Sequence, residues 1–528
     1  MKMRFFGCIR YALPLFMLLA VGVGAAPQAF AQSGEKVLKM IQGGDLKIID
    51  PIQNPSYITR NHGYMIYDTL FAVDSKGHVK PQMVENYTVS KDKKTYTFTL
   101  RQGLKWHDGA PVTAADCVAS IKRWGAKDVS GRLLLAQTVS IDAINEKSFS
   151  LTLKEPFGLV LESLGKPSSN VPFMMPERVA KTDPNQQITD TTGSGPFMFK
   201  KDEWVPGSKV VYLKNPNYVP RKEPADGLAG GKVVKVDRVE WVYIPDQNTA
   251  LAALTNGEVD IFELPQADFI AALEKNPKVK LAADSLGNQG WLRPNHLLPP
   301  FNNPKGREAL LYLVNQEEYL AAAGFPEKYR VKKCLAYFMC GSTNETDAGA
   351  EGLKGGQNLE KAKQLLKEAG YNGEKIVVLA PSDPPVQAAA AMVTVQNLRK
   401  IGVNVDAQAM DWSTLLGRRA KKDGWHIFHT YSVGFDVISP VNNAYVQGTC
   451  DAAPSGWSCD EQMEKLRMAW AKEGDLAKRK KITAEISKRA YEQVPYVNFG
   501  QFFWPMAYRA NLKGLINIGI PVLWNVEK

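Results

Sequence analysis

The chain has 528 residues, an apolar share of 45% and a formal charge of +11. Such a length builds two or three domains with sizeable cores, and the apolar share is ordinary for a globular chain. The basic residues are scattered and accompany no nucleic-acid motif, so they read as a solvated surface and exclude nucleic acid as the partner.

Residues 1–31 read as a cleaved secretory leader. Lys2, Arg4 and Arg10 precede an uncharged apolar run over 11–26, and Ala29-Phe30-Ala31 supplies the cleavage pattern, with the cut before Gln32. The run is too short to span a bilayer, and no later stretch reaches the ~18 apolar residues of a spanning helix. Cys8 lies before the apolar run instead of after it, which excludes a lipid anchor. The leader holds three basic residues and no acid, so the mature chain keeps +8. It is expected to be soluble, exported to the periplasm and monomeric.

Residues 87–89 and 96–100 read as strands: Tyr96, Phe98 and Leu100 alternate with threonines, the period of a half-buried strand. The stretch GLKWHDGAPVTAADCVASIKRW at 103–124 then sets His107 beside Asp108, with Asp116 close behind. Three such groups could form an acid–base centre, but local chemistry accounts for each. Asp108-Gly109 is a turn signal. Thr113 stands at a helix N-cap, with Asp116 three residues on as a variant capping box and Val112 and Cys117 as its staple. Cys117, Val118 and Ile121 supply the apolar face of the helix. His107 ends the hairpin.

No catalytic motif survives inspection. Gly193-Ser194-Gly195 is too tight for a nucleophile elbow. In DGLAGGKVV, Asp226 replaces the first glycine of a phosphate loop and Val233 its Ser or Thr. The second half alternates strands and helices. Helices are expected at 358–369 and 386–401, stopped by Gly370 and Gly402, with a short one at 412–419. Strands are expected at 375–380, 403–410 and 425–433. This alternation predicts an α/β domain. Residues 461–493 are mostly helical with a break near Gly474, and the final stretch reads as strands returning to an earlier sheet. His426 and His429 lie in a strand at a spacing that points them to opposite faces, so they are poor joint metal ligands. Of the five cysteines beyond the leader, Cys334 with Cys340 and Cys450 with Cys459 are close pairs expected to form short disulfides in an oxidising compartment. Cys117 is expected to be a buried free thiol. No zinc site is expected, because neither pair has CxxC spacing or a neighbouring histidine. With no cofactor, metal or catalytic set in view, a binding function leads.

Four stretches, in order and spread over most of the mature chain, carry a resemblance: YDTLF…VKPQMVENYTVSKDKKTYTFTLRQGLKWHDGAPVTAADCVASIKR, GSGPFMFKKDEWVPGSKVVYLKNPNYV, ALAALTNGEVDIFELP and NNPKGREALLYLVNQEEYL. The chain resembles the family 5 extracellular solute-binding proteins of ABC importers, which include dipeptide- and oligopeptide-binding proteins. The resemblance implies an α/β, two-lobed periplasmic binding protein of the hinge-closing, type II-like kind, with an extra domain inserted in the first lobe. Its implied divisions are lobe I at 32–73, 193–294 and 495–528, the inserted domain at 74–192, and lobe II at 295–494. The implied partners are a short peptide or peptide-like solute and a membrane permease with its ATPase subunits.

The resemblance also implies site residues. In peptide binders an Asp four residues before a Pro pairs with the ligand's α-amino group, and VGFDVISPVNN places Asp436 there, ahead of Pro440. An ammonium buried in a closed cleft needs such a carboxylate; the alternative is a loop-capping Asp. Tyr57 matches the position whose backbone pairs with the ligand as an added strand. Where the family often carries an aromatic in the inserted domain, this chain has DVSGRLLLA, with Arg132 as either a ligand-carboxylate partner or a surface charge. NQEE at 315–318 departs from the family's more usual Asp-Arg pair, far from the expected chemistry. Trp412 and Trp425 suit a ligand wall or a packed core. Two other readings remain open: the same fold holding a nickel chelate, opine, sugar or aromatic acid, and an exported hydrolase.

Overall fold

The structure, a computed structural model, describes residues 34–528. The expected leader and its cut before Gln32 lie outside the described residues. Three sheets organise the chain. The first has seven strands, in the order Val279–Ala282, Met506–Arg509, Ile261–Phe262, Val37–Ile41, Arg238–Val242, Lys209–Lys214 and Phe197–Phe199. Its central strand Val37–Ile41 is parallel to both neighbours. The second has five strands, Val405–Met410, Ile376–Pro381, Ile427–Val433, Asn288–Pro294 and Val497–Phe502. Parallel pairing across its first three strands is what helical crossovers produce. The third is an antiparallel four-stranded sheet, Val84–Val89, Thr95–Leu100, Ser148–Leu153 and Thr138–Ala143. The molecule has a two-lobed α/β fold, one lobe on the seven-stranded sheet and the other on the five-stranded sheet.

The chain leaves the seven-stranded sheet after Ala282 and enters the five-stranded one at Asn288; it returns between Phe502 and Met506. The expected divisions at 294/295 and 494/495 therefore shift. Strand Asn288–Pro294 is zipped between Ile427–Val433 and Val497–Phe502, so both strands belong to the second lobe's sheet.

Local chemistry explains the helices of the second lobe. Asn358 caps Leu359–Glu368 by accepting from the Lys361 N–H at 2.9 Å. Gly370 and Gly402 follow their helices with φ of 91° and 82°, a conformation that favours glycine. Helices Glu461–Lys472 and Leu476–Gln493 flank Gly474. Cys334 and Cys340 are joined across 5.9 Å of Cα separation and Cys450 and Cys459 across 4.0 Å. Cys117 is free and buried, and burial pushes its thiol up.

Buried charges pin the first lobe. Arg123 donates to both oxygens of Asp50, at 3.1 and 2.7 Å, with both side chains out of water. Lys232 meets Asp68 at 2.7 Å, and Lys166 pairs with Asp128. No helix among the described residues is long and apolar enough to cross a membrane.

Candidate ligand-binding site

His107, Asp108 and Asp116 are consumed by the scaffold. Thr113 caps helix Ala114–Lys127: its hydroxyl accepts from the Asp116 N–H, and the Asp116 carboxylate accepts from the Thr113 N–H at 2.8 Å. Asp116 also takes the Trp106 indole N–H and the Glu177 N–H. Asp108 closes its turn on the Ala110 N–H and pairs with Arg178. His107 Nδ1 accepts from the Gly193 N–H, and its Nε2 faces the Gly195 carbonyl at 3.2 Å. Burial holds this imidazole down, to about 4, so it stays neutral. The Gly193-Ser194-Gly195 turn is tight for a structural reason: a Cβ at Gly193 would sit 1.7 Å from the Ile66 carbonyl oxygen.

A different kind of cluster lies where the two lobes meet. From the first lobe comes helix Tyr57–Ile66, buried on every side from Thr59 onward. A Cβ at Gly63 would be 2.3 Å from the Phe173 ring, so glycine lets this helix pack against the 171–175 segment. From the second lobe comes strand Ile427–Val433, running into the single turn Gly434–Val437 that carries Asp436. The Tyr57 hydroxyl bridges the lobes. It donates to Asp436 Oδ2 at 2.7 Å and accepts from the Val433 N–H at 3.1 Å. Asp436 is half-buried as a residue, but its Oδ1 is out of water and has no hydrogen-bond partner. Burial raises its carboxyl above the usual carboxylate range, against the pull of Lys166, Tyr57, Arg60 and Ser168.

Tyr57, Arg60, Glu263, Asn288, Tyr431 and Trp504 line a cavity of about 60 Å³ between the lobes. Glu263 accepts from the Asn61 side chain at 3.0 Å and the Gly43 N–H at 2.8 Å, and burial raises its carboxyl as well. A second cavity of about 210 Å³ opens on the other side of the Asp436 turn, between Gly165 and Pro167 on one wall and Phe435 and Asn442 on the other. A larger hollow of about 760 Å³ beside Gln316 and Tyr491 is lined by no residue of the Tyr57 helix. The lobe junction is the better candidate: among the described residues it sets the Arg60 and Glu263 side chains of the first lobe at a cavity beside the Tyr57–Asp436 bridge to the second, though Asp436 itself lines neither of the two cavities there.

Asp436 and Tyr57 are thus brought together; the other expected positions are not. Tyr57 begins a helix and reaches Asp436 through its side chain, so it is not in the extended conformation that adding a ligand strand requires. Arg132 is an exposed charge whose guanidinium donates to the Lys127 carbonyl at the end of the preceding helix, Ala114–Lys127. The preceding Gly131 has a packing role: a Cβ there would lie 2.8 Å from Gly125, where two helices touch. Trp425 is fully buried beside Leu415, Phe428 and Trp457, and Trp412 packs against that cluster. Neither lines the lobe-junction cavity. Sequence reasoning passed over Arg60 and Glu263. Among the described residues, no group of three or more His, Cys, Asp or Glu is placed to hold a metal ion.

Comparison with known proteins agrees with this architecture. The family described as bacterial extracellular solute-binding proteins, family 5, middle region, matches residues 78–458. A probable peptide ABC transporter periplasmic-binding protein, y4tO of Sinorhizobium fredii, is 41% identical over 507 residues, covering 94% of each chain. The periplasmic binding protein AgaA from A. tumefaciens R10, solved with agropinic acid, superposes with a TM-score of 0.78 at 27% identity, over 93% of this chain and 98% of that one. A dipeptide-binding protein from Pseudoalteromonas sp. SM9913, solved with Met-Leu, has the same fold, with a TM-score of 0.78 at 20% identity over 93% and 100% of the two chains. The chain belongs to the family 5 extracellular solute-binding proteins, the ligand-capturing components of ABC importers.

Proposed function

We propose that this protein captures a short peptide or peptide-like amino compound between its lobes and hands it to a membrane permease, working as a periplasmic monomer after removal of residues 1–31. The observation that carries the reading is Asp436: a carboxyl out of water, with one oxygen held across the cleft by Tyr57 and the other unpartnered. Burying a carboxylate without a full set of partners is costly, and a ligand ammonium supplies both the charge and the donors that Oδ1 lacks. The 41% identical relative, described as a probable peptide-binding protein, supports the same ligand class.

The cavity of about 60 Å³ is far below the ~300–1,000 Å³ of ordinary ligand pockets. Uptake therefore needs the lobes to part, and the chain crosses between them only near 283–287 and 503–505 in the described fold. Opening breaks the Tyr57–Asp436 bond. It also breaks the contacts that tie the inserted segment to the second lobe: Lys472 to Glu155 at 2.5 Å, and Arg479 to the Gly158 carbonyl at 3.0 Å and Glu162 at 3.3 Å. No described feature favours catalysis, and the family is one of transport-associated binding proteins.

Mass spectrometry of material released from the purified protein, followed by thermal shift with the identified compounds, tests the proposal. At 100 times its dissociation constant a true ligand stabilises by about 2.7 kcal/mol. Release of peptides or amino compounds that stabilise the protein supports the reading; a sugar or an aromatic acid without an amine overturns it.

A further inference from the structure

Arg60 is a buried cation that the scaffold leaves incompletely used at the lobe junction. Only 3% of it is exposed, and it lines the lobe-junction cavity. Its Nε and Nη2 both donate to Asn61 Oδ1, at 3.1 and 2.9 Å, and its Nη1 donates to Ser168 Oγ at 2.8 Å. A guanidinium has five N–H donors, so one N–H on Nη1 and one on Nη2 remain free. Its acceptors are one amide and one hydroxyl; no acidic side chain among the described residues is within ion-pair reach of it. Arg101 and Arg307 are also buried without a carboxylate, bonded to carbonyl and amide oxygens, but neither lines the lobe-junction cavity. The remaining buried cations differ from Arg60. Arg123, Lys166 and Lys232 each have a carboxylate partner. Arg293 is wrapped by the carbonyls of Ser455, Tyr445, Pro495 and Pro454. Asp436 and Glu263 feel the charge of Arg60 only at longer range.

The unused donors lie near the unused acceptor. The Arg60 guanidinium carbon is 4.6 Å from the centre of the Tyr57 ring, and the hydroxyl of that ring holds Asp436. One tyrosine therefore spans a cation short of an acceptor and a carboxylate short of a donor. We infer that Arg60 anchors a carboxylate of the ligand while Asp436 takes its ammonium, so that the protein selects zwitterionic, amino-acid-derived solutes over amines or acids alone. Guanidinium and carboxylate match as a two-pronged, charge-assisted pair, and a second opposite charge leaves no unpaired ion when the cleft closes. The inference rests on the reading of Asp436 given above and adds the second half of the recognition.

Calorimetry with a defined series tests it. The probes are di-, tri- and tetra-alanine, each with a free C terminus, as the C-terminal amide and as the N-acetyl form. Wild type is expected to bind the best free peptide roughly 100-fold or more tightly than its amide. Arg60→Gln is expected to bind the free peptide and the amide alike. Equal wild-type affinity for peptide and amide overturns the role of Arg60, and so does a folded Arg60→Gln that still discriminates between them. If Arg60→Gln fails to fold, the amide comparison on wild type decides alone. The N-acetyl arm reports on Asp436 separately: full affinity for the N-acetyl peptide with loss for the amide sinks the ammonium reading. Binding of no peptide in the series overturns the short-peptide proposal, and this inference with it.

Discussion

The turn and capped helix at 103–124 and the junction between the lobes hold the same kinds of side chain and use them in opposite ways. His107, Asp108 and Asp116 look like an acid–base centre, yet each is bonded to neighbouring backbone or paired with Arg178. Tyr57, Arg60 and Asp436 share no motif and are 379 residues apart at their extremes, yet one oxygen and two N–H groups remain unmatched there. Residue type does not separate these two regions; the acidic groups of the first are bonded within the scaffold, whereas Asp436 Oδ1 at the second has no partner. Fully matched polar groups stiffen a fold, whereas an unmatched carboxylate between two lobes can be completed by a ligand.

The largest expected effect lies on the incomplete side. Asp436→Asn keeps size and removes charge, and loss of one partner of a buried pair costs about 3–5 kcal/mol, or roughly two to four decades of affinity. Titration should show that loss with the unliganded melting temperature almost unchanged. On the complete side the signs reverse. Arg123→Ala strands the buried Asp50 and should cost a comparable ~3–5 kcal/mol of stability in denaturant unfolding, while the folded fraction binds ligand normally. If Arg123→Ala instead spared stability and lost binding, the division between the two regions would be wrong.

Acid sharpens the contrast. Burial raises the Asp436 carboxyl, and only its ionised form pairs with an ammonium. Affinity should therefore fall as pH falls through that raised value, above the range where an ordinary carboxylate titrates, and Asp436→Asn should lack this fall. His107 moves stability instead. Its folded value of about 4 lies below the usual 6.5, so the unfolded chain takes up the proton first. Its contribution is whole above 6.5 and is lost as pH falls toward 4. His62 and His429, held down to about 3 by burial, act in the same direction. Melting curves between pH 7 and 4 check the slope. The smallest effects come from the capped helix. Thr113→Ala should cost ~1 kcal/mol, and His107→Ala should leave affinity within error; a loss of binding with the fold intact would return His107 to the site.

Much of this was legible in the sequence where the cause is local. Thr113, Asp116, Asn358, Gly370 and Gly402 act within a few residues of themselves, and their helices begin and end beside them. The resemblance points to Asp436, which stands on the single turn Gly434–Val437. What failed depends on distance. The extended backbone expected at Tyr57 is the start of a helix. Arg60 stands in a polar run, Thr59 to His62, that is buried by partners distant in sequence: Thr59 bonds the Ile48 carbonyl, Arg60 Ser168, Asn61 Glu263 and His62 Tyr212. The lobe divisions were misplaced because strands Asn288–Pro294 and Val497–Phe502 continue without local punctuation into the sheet across the hinge.

The central claim is that Asp436 recognises an ammonium group across the cleft, and a calorimetric cycle tests it most directly. Wild type and Asp436→Asn are each titrated with the released ligand and with its N-acetylated form. Each single change should cost two to four decades, and the double change little more than either, because both remove one interaction. Wild-type affinity in Asp436→Asn, or two losses that simply add, would contradict the account.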